Sequence, residues 1–153
     1  MKLSTRGRYA TRALLDLARH QGAVPIPLKD IARRQEISLY YLEHIVMPLA
    51  AAGMVRSSRG ASGGIQLARP AREIRLSEIL RLVEGSLAPV ACVTNPEICP
   101  RAGQCVVREV WAELDRVTAI VLESITLQDL VKRQERKEHL EGTAAGGNGK
   151  RRG

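Results

Sequence analysis

The chain has 153 residues, 44% of them hydrophobic, which suits one ordinary core or a small domain with a long helical arm and is too short for two full domains. Its apolar runs fall far short of the roughly 20 residues that span a bilayer, and Met-Lys-Leu-Ser-Thr-Arg-Gly-Arg at the N-terminus lacks the apolar run and cleavage site of a secretory signal, so a cytoplasmic protein without a membrane span is expected. The net charge of +8 is uneven: residues 1–69 carry 11 Lys or Arg against 4 Asp or Glu, residues 70–141 carry 10 against 12, and the last twelve add +3. A basic half beside a slightly acidic one fits a chain that turns one half toward a polyanion; a basic pI with no partner is the alternative, and charge alone does not separate them.

Tyr9, Ala10, Ala13, Leu14, Leu17 and Ala18 recur at helical spacing after Ser4-Thr5, predicting a first helix that ends near Gly22. Pro25 and Pro27 bound a short extended piece. A second helix runs from Leu28 to Gln35, a tight turn passes through Glu36 and Ile37, and Ser38 is the N-cap of a third helix starting at Leu39. Ile31, Ala32, Ile37, Leu42, Ile45 and Leu49 have the spacing of two helices sharing a core across a short turn, the helix-turn-helix arrangement. Pro48 is expected to kink the third helix or to end its regular part near residue 47.

Met54–Arg59 and Ile65–Arg69 read as two strands joined by Gly60-Ala-Ser-Gly-Gly64, a hairpin wing. On this reading the start of the third helix enters the major groove of double-stranded DNA, and Ser38, Tyr40, Tyr41, Glu43 and His44 are its candidate contacts. One of the two tyrosines is expected to be core. Glu43, repelled by phosphate but able to accept from the cytosine amino group, is a selector more than an affinity contact. Arg59, Gly60, Ser62 and Gly63 form the wing contact, with Arg59 suited to a narrow minor groove. A three-helix core of this kind also serves protein interaction in other settings, the competing reading.

A short helix is expected from Leu76 to Gly85 with Ser77 as its N-cap. All three cysteines then fall in one segment, Cys92-Val-Thr-Asn-Pro-Glu-Ile-Cys99-Pro-Arg-Ala-Gly-Gln-Cys105. In a reducing compartment, an odd number of clustered thiols favours metal or redox chemistry over structural disulfides. Thiolates with six and five residues between them, on a loop bent by Pro96, Pro100 and Gly103, suit one face of an iron-sulfur cluster, and the paired short spacing of structural zinc is missing. A thiol-oxidation switch or a zinc site is the alternative. A cysteine-nucleophile enzyme is disfavoured because no histidine lies beside the loop to act as base, so neither enzyme activity nor a small-molecule substrate is expected.

From Val106 to Glu123 the chain has its longest helical pattern, a rod of roughly 27 Å. Val107, Val110, Trp111, Leu114, Val117 and Val121 lie along one stripe, which predicts packing against the same helix of a second chain. Thr126-Leu-Gln-Asp129 reads as a capping box for a last helix from Leu127 to about Glu138. The expected organisation is a winged helix-turn-helix domain over 1–85, a cysteine loop over 86–105, a dimerisation helix and terminal helix over 106–141, and a disordered basic tail over 142–153. The fold class is mainly α with a small β-hairpin wing.

Leu3-Ser-Thr-Arg-Gly-Arg-Tyr-Ala, Ile37-Ser-Leu-Tyr-Tyr-Leu-Glu, Arg59-Gly-Ala-Ser-Gly-Gly, the Cys92, Cys99, Cys105 triplet and Ile125-Thr-Leu-Gln-Asp-Leu-Val together resemble the IscR and NsrR group of bacterial winged-helix regulators over about residues 1–135. The resemblance implies a homodimer on a palindromic promoter site, most simply a repressor of iron-sulfur assembly or redox-stress genes. It also implies a cluster on the three cysteines, by default two-iron, two-sulfur (2Fe-2S), that modulates DNA binding. Two departures stand out. The IscR-like pattern has five residues between its first two cysteines where this chain has six, and a histidine three residues after the last where this chain has Arg108. The aspartate of NsrR-like proteins is matched here by Arg8, which leaves Glu97, Glu109, a residue of the other subunit or a small exogenous ligand as candidates for the fourth position.

Overall fold

A computed structural model describes residues 2–146. The N-terminal half is a winged helix. Ser4 caps α1 (Thr5–His20) by accepting from the Gly7 amide at 3.1 Å. Helices α2 (Leu28–Gln35) and α3 (Leu39–Ala51) follow, then β1 (Val55–Ser58) and β2 (Gly64–Leu67). The strands pair antiparallel with Val55 opposite Leu67 and Ser58 opposite Gly64. Between its two prolines, Ile26 bridges to Ile65 and adds a third extended segment to the wing.

Between α2 and α3, Glu36 takes a left-handed conformation, φ 54° and ψ 45°, while the Ile37 amide reaches back to the Ala32 carbonyl at 2.9 Å. This closes α2 and drops Ile37 into the core. A non-glycine residue in that region carries about 1–2 kcal/mol of strain, and glycine there loses part of the gain through its freer unfolded chain. Glu36→Gly is therefore expected to stabilise the fold by about 0.5–1 kcal/mol. A rise in the urea midpoint at unchanged slope would show it, whereas a lower midpoint would contradict it.

The core gathers Leu14, Leu17, Ile31, Leu42, Ile45, Leu49, Met54, Ile74 and Ile79, with Leu127 inserted from the C-terminal half. Helix α3 continues through Pro48 to Ala51, so its regular part does not end near residue 47. The proline stands in the last turn, where the one amide partner lost is that of the His44 carbonyl, on an exposed residue open to water. Helix α4 (Leu76–Glu84) is capped by Arg75, not by Ser77. The Arg75 amide donates to the Glu78 carboxylate at 3.1 Å, and Ser77 lies buried inside the helix. What sets this start is a long-range bridge of Arg75 to Thr126, with the Leu76 amide on the Ile125 carbonyl at 2.9 Å.

After α4 come the short helix α5 (Ala91–Thr94) and two 3-10 turns, Pro96–Ile98 and Ala102–Gln104, so the cysteine segment is a chain of small turns. Helix α6 (Val106–Ser124) follows, and then α7 (Leu127–Gly146), entered through a reciprocal cap in which Thr126 and Asp129 each accept from the other's amide. α7 runs well past the expected end near Glu138 and through Gly142. Glu138 pairs with Arg19 of α1 at 2.6 Å and accepts from Gln134 one turn earlier, which supports the continuation. Of the expected disordered tail, 142–146 is helical, and 147–153, including Lys150-Arg151-Arg152, lies outside the described residues. No helix among the described residues is long and apolar enough to cross a membrane.

Candidate nucleic-acid interface and cysteine loop

Helix α3, the candidate recognition helix, is capped by Ser38, whose Oγ accepts from the Tyr41 amide at 3.2 Å. Its first turn presents a polar face outward. Tyr40 is 72% exposed, and its ring lies 4.3 Å from that of His44. The His44 Nδ1–H donates to the Tyr40 carbonyl at 2.8 Å, because a carbonyl can only accept, and this leaves Nε2 for an outside partner. Glu43 is exposed and forms no ion pair among the described residues. Tyr41 is the tyrosine that packs inward, edge-to-face on Tyr9 at 5.9 Å, so it supports the helix more than it presents a reading group.

The wing shows the same division. Val55, Ile65 and Leu67 are buried, while Arg56, Ser57, Ser58 and Arg59 face solvent. Gly60 adopts φ 101° at the tip, Ser62 is exposed, and the Gly63 amide closes the turn on the Gly60 carbonyl at 2.9 Å. A Cβ on Gly63 would collide with the Ser58 carbonyl oxygen, and one on Gly64 would collide with the Ile26 carbonyl. Both are backbone contacts that cannot yield, so these glycines shape the wing whatever it touches.

Charge pairing sharpens the surface. Arg19, Arg33, Arg34, Arg69 and Arg72 are held by carboxylates, and Arg12 donates to both the backbone and the side-chain oxygen of Gln35. Lys2, Arg6, Arg8, Lys29, Arg56 and Arg59 form no ion pair among the described residues and are exposed; Arg6 lies beside α3, and Arg56 and Arg59 lie on the wing. Such a distribution suits contact with phosphates.

Cys92 stands on α5, Cys99 follows the first 3-10 turn, and Cys105 is the N-cap of α6. All three are free thiols, each half-buried. Arg108 lies one turn into α6, and its Nε donates to the Cys92 carbonyl at 2.8 Å, tying the first cysteine to the long helix. The structure thus gives Arg108, at the position of the absent histidine, a bracing contact that sequence reasoning missed. Among the described residues no group of three or more His, Cys, Asp or Glu side chains is placed to hold a metal ion. The donors nonetheless match a cluster in kind, being three soft, reduced, partly accessible thiols on turns without long-range ladders, and the turns must close for them to converge.

Helix α6 has no buried residue along its 19 positions. Arg108, Ala112, Asp115, Thr118, Ala119 and Leu122 are half-covered, whereas Val107, Val110, Leu114, Val117 and Val121 are exposed at alternating spacings of three and four, with the exposed Trp111 beside Val110. That is the seam of a helix made to meet another helix.

The Rrf2 family profile, described as an iron-dependent transcriptional regulator, matches residues 3–133. The chain is 42% identical over 132 residues to the protein rrf2 of Nitratidesulfovibrio vulgaris, covering 86% of this chain and 88% of that one. It is similar to the solved structure of T. potens IscR, with TM-score 0.74 and 40% identity over 90% of each chain. It is also similar to CymR, the global cysteine regulator of B. subtilis, with TM-score 0.73 and 37% identity over 87% of this chain and 98% of that one.

Proposed function

The chain belongs to the Rrf2 family of transcriptional regulators and is not an enzyme, and from that membership we propose that it works as a cytoplasmic homodimer that binds a palindromic promoter site and represses iron-sulfur assembly or redox-stress genes. The observation that carries the DNA reading is the exposed polar start of α3 beside a wing whose Arg56 and Arg59, like Arg6 alongside α3, have no ion pair among the described residues. Ser38, Tyr40, Glu43 and His44 reach base edges, Arg59 enters the minor groove, and Gly60, Ser62 and Gly63 bring the wing backbone close to phosphate. Glu43, without a cation of its own, selects for cytosine at the cost of some phosphate repulsion.

Cys92, Cys99 and Cys105 hold an iron-sulfur cluster, 2Fe-2S by default, on each subunit. When bound, the cluster supplies an iron- and redox-dependent cross-link of the loop. The chain's own part is to offer three thiolates, to brace the Cys92 turn through Arg108, and to transmit loop closure through α6, which packs on α4. The alternative is a cluster-free regulator in which the three free, half-buried thiols serve a thiol-redox or zinc switch, and it too requires the turns to bring them together. Metal and sulfide analysis separates the two.

Affinity for double-stranded DNA should fall steeply between low and physiological salt, and Arg59→Ala should cost about 1–3 kcal/mol at the specific site. Affinity that stayed flat across that salt range would contradict the phosphate-contact reading.

A further inference from the structure

The N-terminus of α1 is fastened from a distance of 80 residues in sequence. Glu84, the last residue of α4, accepts from the Ser4 amide at 2.9 Å and from the Ser4 hydroxyl at 2.6 Å, and that hydroxyl in turn accepts from the Gly7 amide. A carboxylate placed there satisfies the N-cap amide that α1 leaves unpaired and meets the positive end of its dipole. Gly7 makes the approach possible, since a Cβ on it would overlap Glu84 Oε1.

The turn held in this way carries Arg6, which is exposed and has no ion pair among the described residues. Arg6 lies with Tyr41, His44, Met47 and Pro48 around an open cleft of about 520 Å³ along the side of the recognition helix. From the next turn, Tyr9 packs on Tyr41 and fixes α1 against α3. Two joints therefore set where Arg6 stands relative to the helix that enters the groove.

We propose that Arg6 contacts a DNA phosphate flanking the recognition helix and that Glu84 is the positioning residue that aims it. The inference rests on the DNA-binding reading above. It gives an acidic side chain a positive part in binding a polyanion, which charge alone would not suggest, because Glu84 acts through the placement of a cation and its own charge is taken up by the helix end.

The test uses the full chain and a labelled double-stranded DNA of mixed sequence, with affinity measured across a salt series. Arg6→Ala should weaken binding about 3- to 10-fold at low salt and lower the slope of log affinity against log salt by about one. Glu84→Gln, which keeps the acceptor and loses the charge, should bind at least as well as the parent. Glu84→Ala should bind about 3- to 10-fold more weakly than Glu84→Gln, and that difference should vanish when both are made in the Arg6→Ala background. Gly7→Ala, which displaces the carboxylate while favouring helix, should reproduce the slope loss and guards against a Glu84→Ala variant that is merely unfolded. A difference that persists undiminished without Arg6, or an Arg6→Ala protein with unchanged slope and affinity, overturns the proposal. Binding by the parent chain that is independent of salt overturns the DNA-binding reading along with it.

Discussion

Arg34→Ala should destabilise the protein by about 3–5 kcal/mol at neutral pH, because it strips a buried carboxylate of its main partner. Asp16 is 3% exposed on α1. Arg34 of α2 grips it with Nη2 at 2.6 Å and Nε at 3.0 and 3.1 Å, while the Gln35 amide adds a bond at 2.9 Å. Burial pushes the Asp16 carboxyl up, but the hydrogen bonds from Arg34 and Gln35, with the charges of Arg34 and His20, more than reverse this and hold it below the ordinary carboxylate range. A carboxyl lowered on folding contributes stability that is present above its unfolded value and is lost as pH falls through the folded one. The gap between parent and Arg34→Ala should accordingly be full at neutral pH and narrow in acid, as the orphaned Asp16, which burial then pushes up, takes a proton first and the parent's own pair is lost at lower pH. Urea unfolding at both pH values checks this. A loss under about 1 kcal/mol would place the pair with ordinary surface bridges. The same network ties α1 to α2, so a variant that still folds should also bind DNA less well.

Leu114→Glu should break the proposed dimer. Leu114 lies midway along the exposed seam of α6, and a carboxylate there would be buried without a partner in each of two facing helices. A central apolar anchor of this kind is worth about 2–4 kcal/mol, or about 30- to 700-fold in the dimer dissociation constant. Sedimentation should find monomer at concentrations where the parent is dimeric, and affinity for a palindromic site should fall because the second recognition helix is lost. An unchanged dimer in the Leu114→Glu variant would move the interface elsewhere.

Local chemistry in the chain was enough to read most of the DNA-binding half. Ser4 and Ser38 cap the helices they precede, and Thr126 with Asp129 forms the expected reciprocal cap, because these bonds close within three residues. The stripe on α6 was legible because its period is a property of the helix itself. What escaped sequence reasoning depends on partners far away in the chain. Ser77 lost the cap position to Arg75 because pairing with Thr126 sets where α4 begins. Asp16 with Arg34, Ser4 with Glu84, and Arg108 with the Cys92 carbonyl each join residues whose meeting no local pattern signals. Pro48 does not end α3 because, in the last turn, it removes a single amide partner from an exposed carbonyl.

Visible absorption of the full chain purified without oxygen, with iron and acid-labile sulfide measured on the same sample, tests the cluster claim most directly. The expected result is a coloured protein with iron and sulfide in equal amounts, and a colourless, iron-free one when Cys92, Cys99 and Cys105 are all replaced by alanine. A parent chain that emerges from the same preparation colourless and free of iron would contradict it.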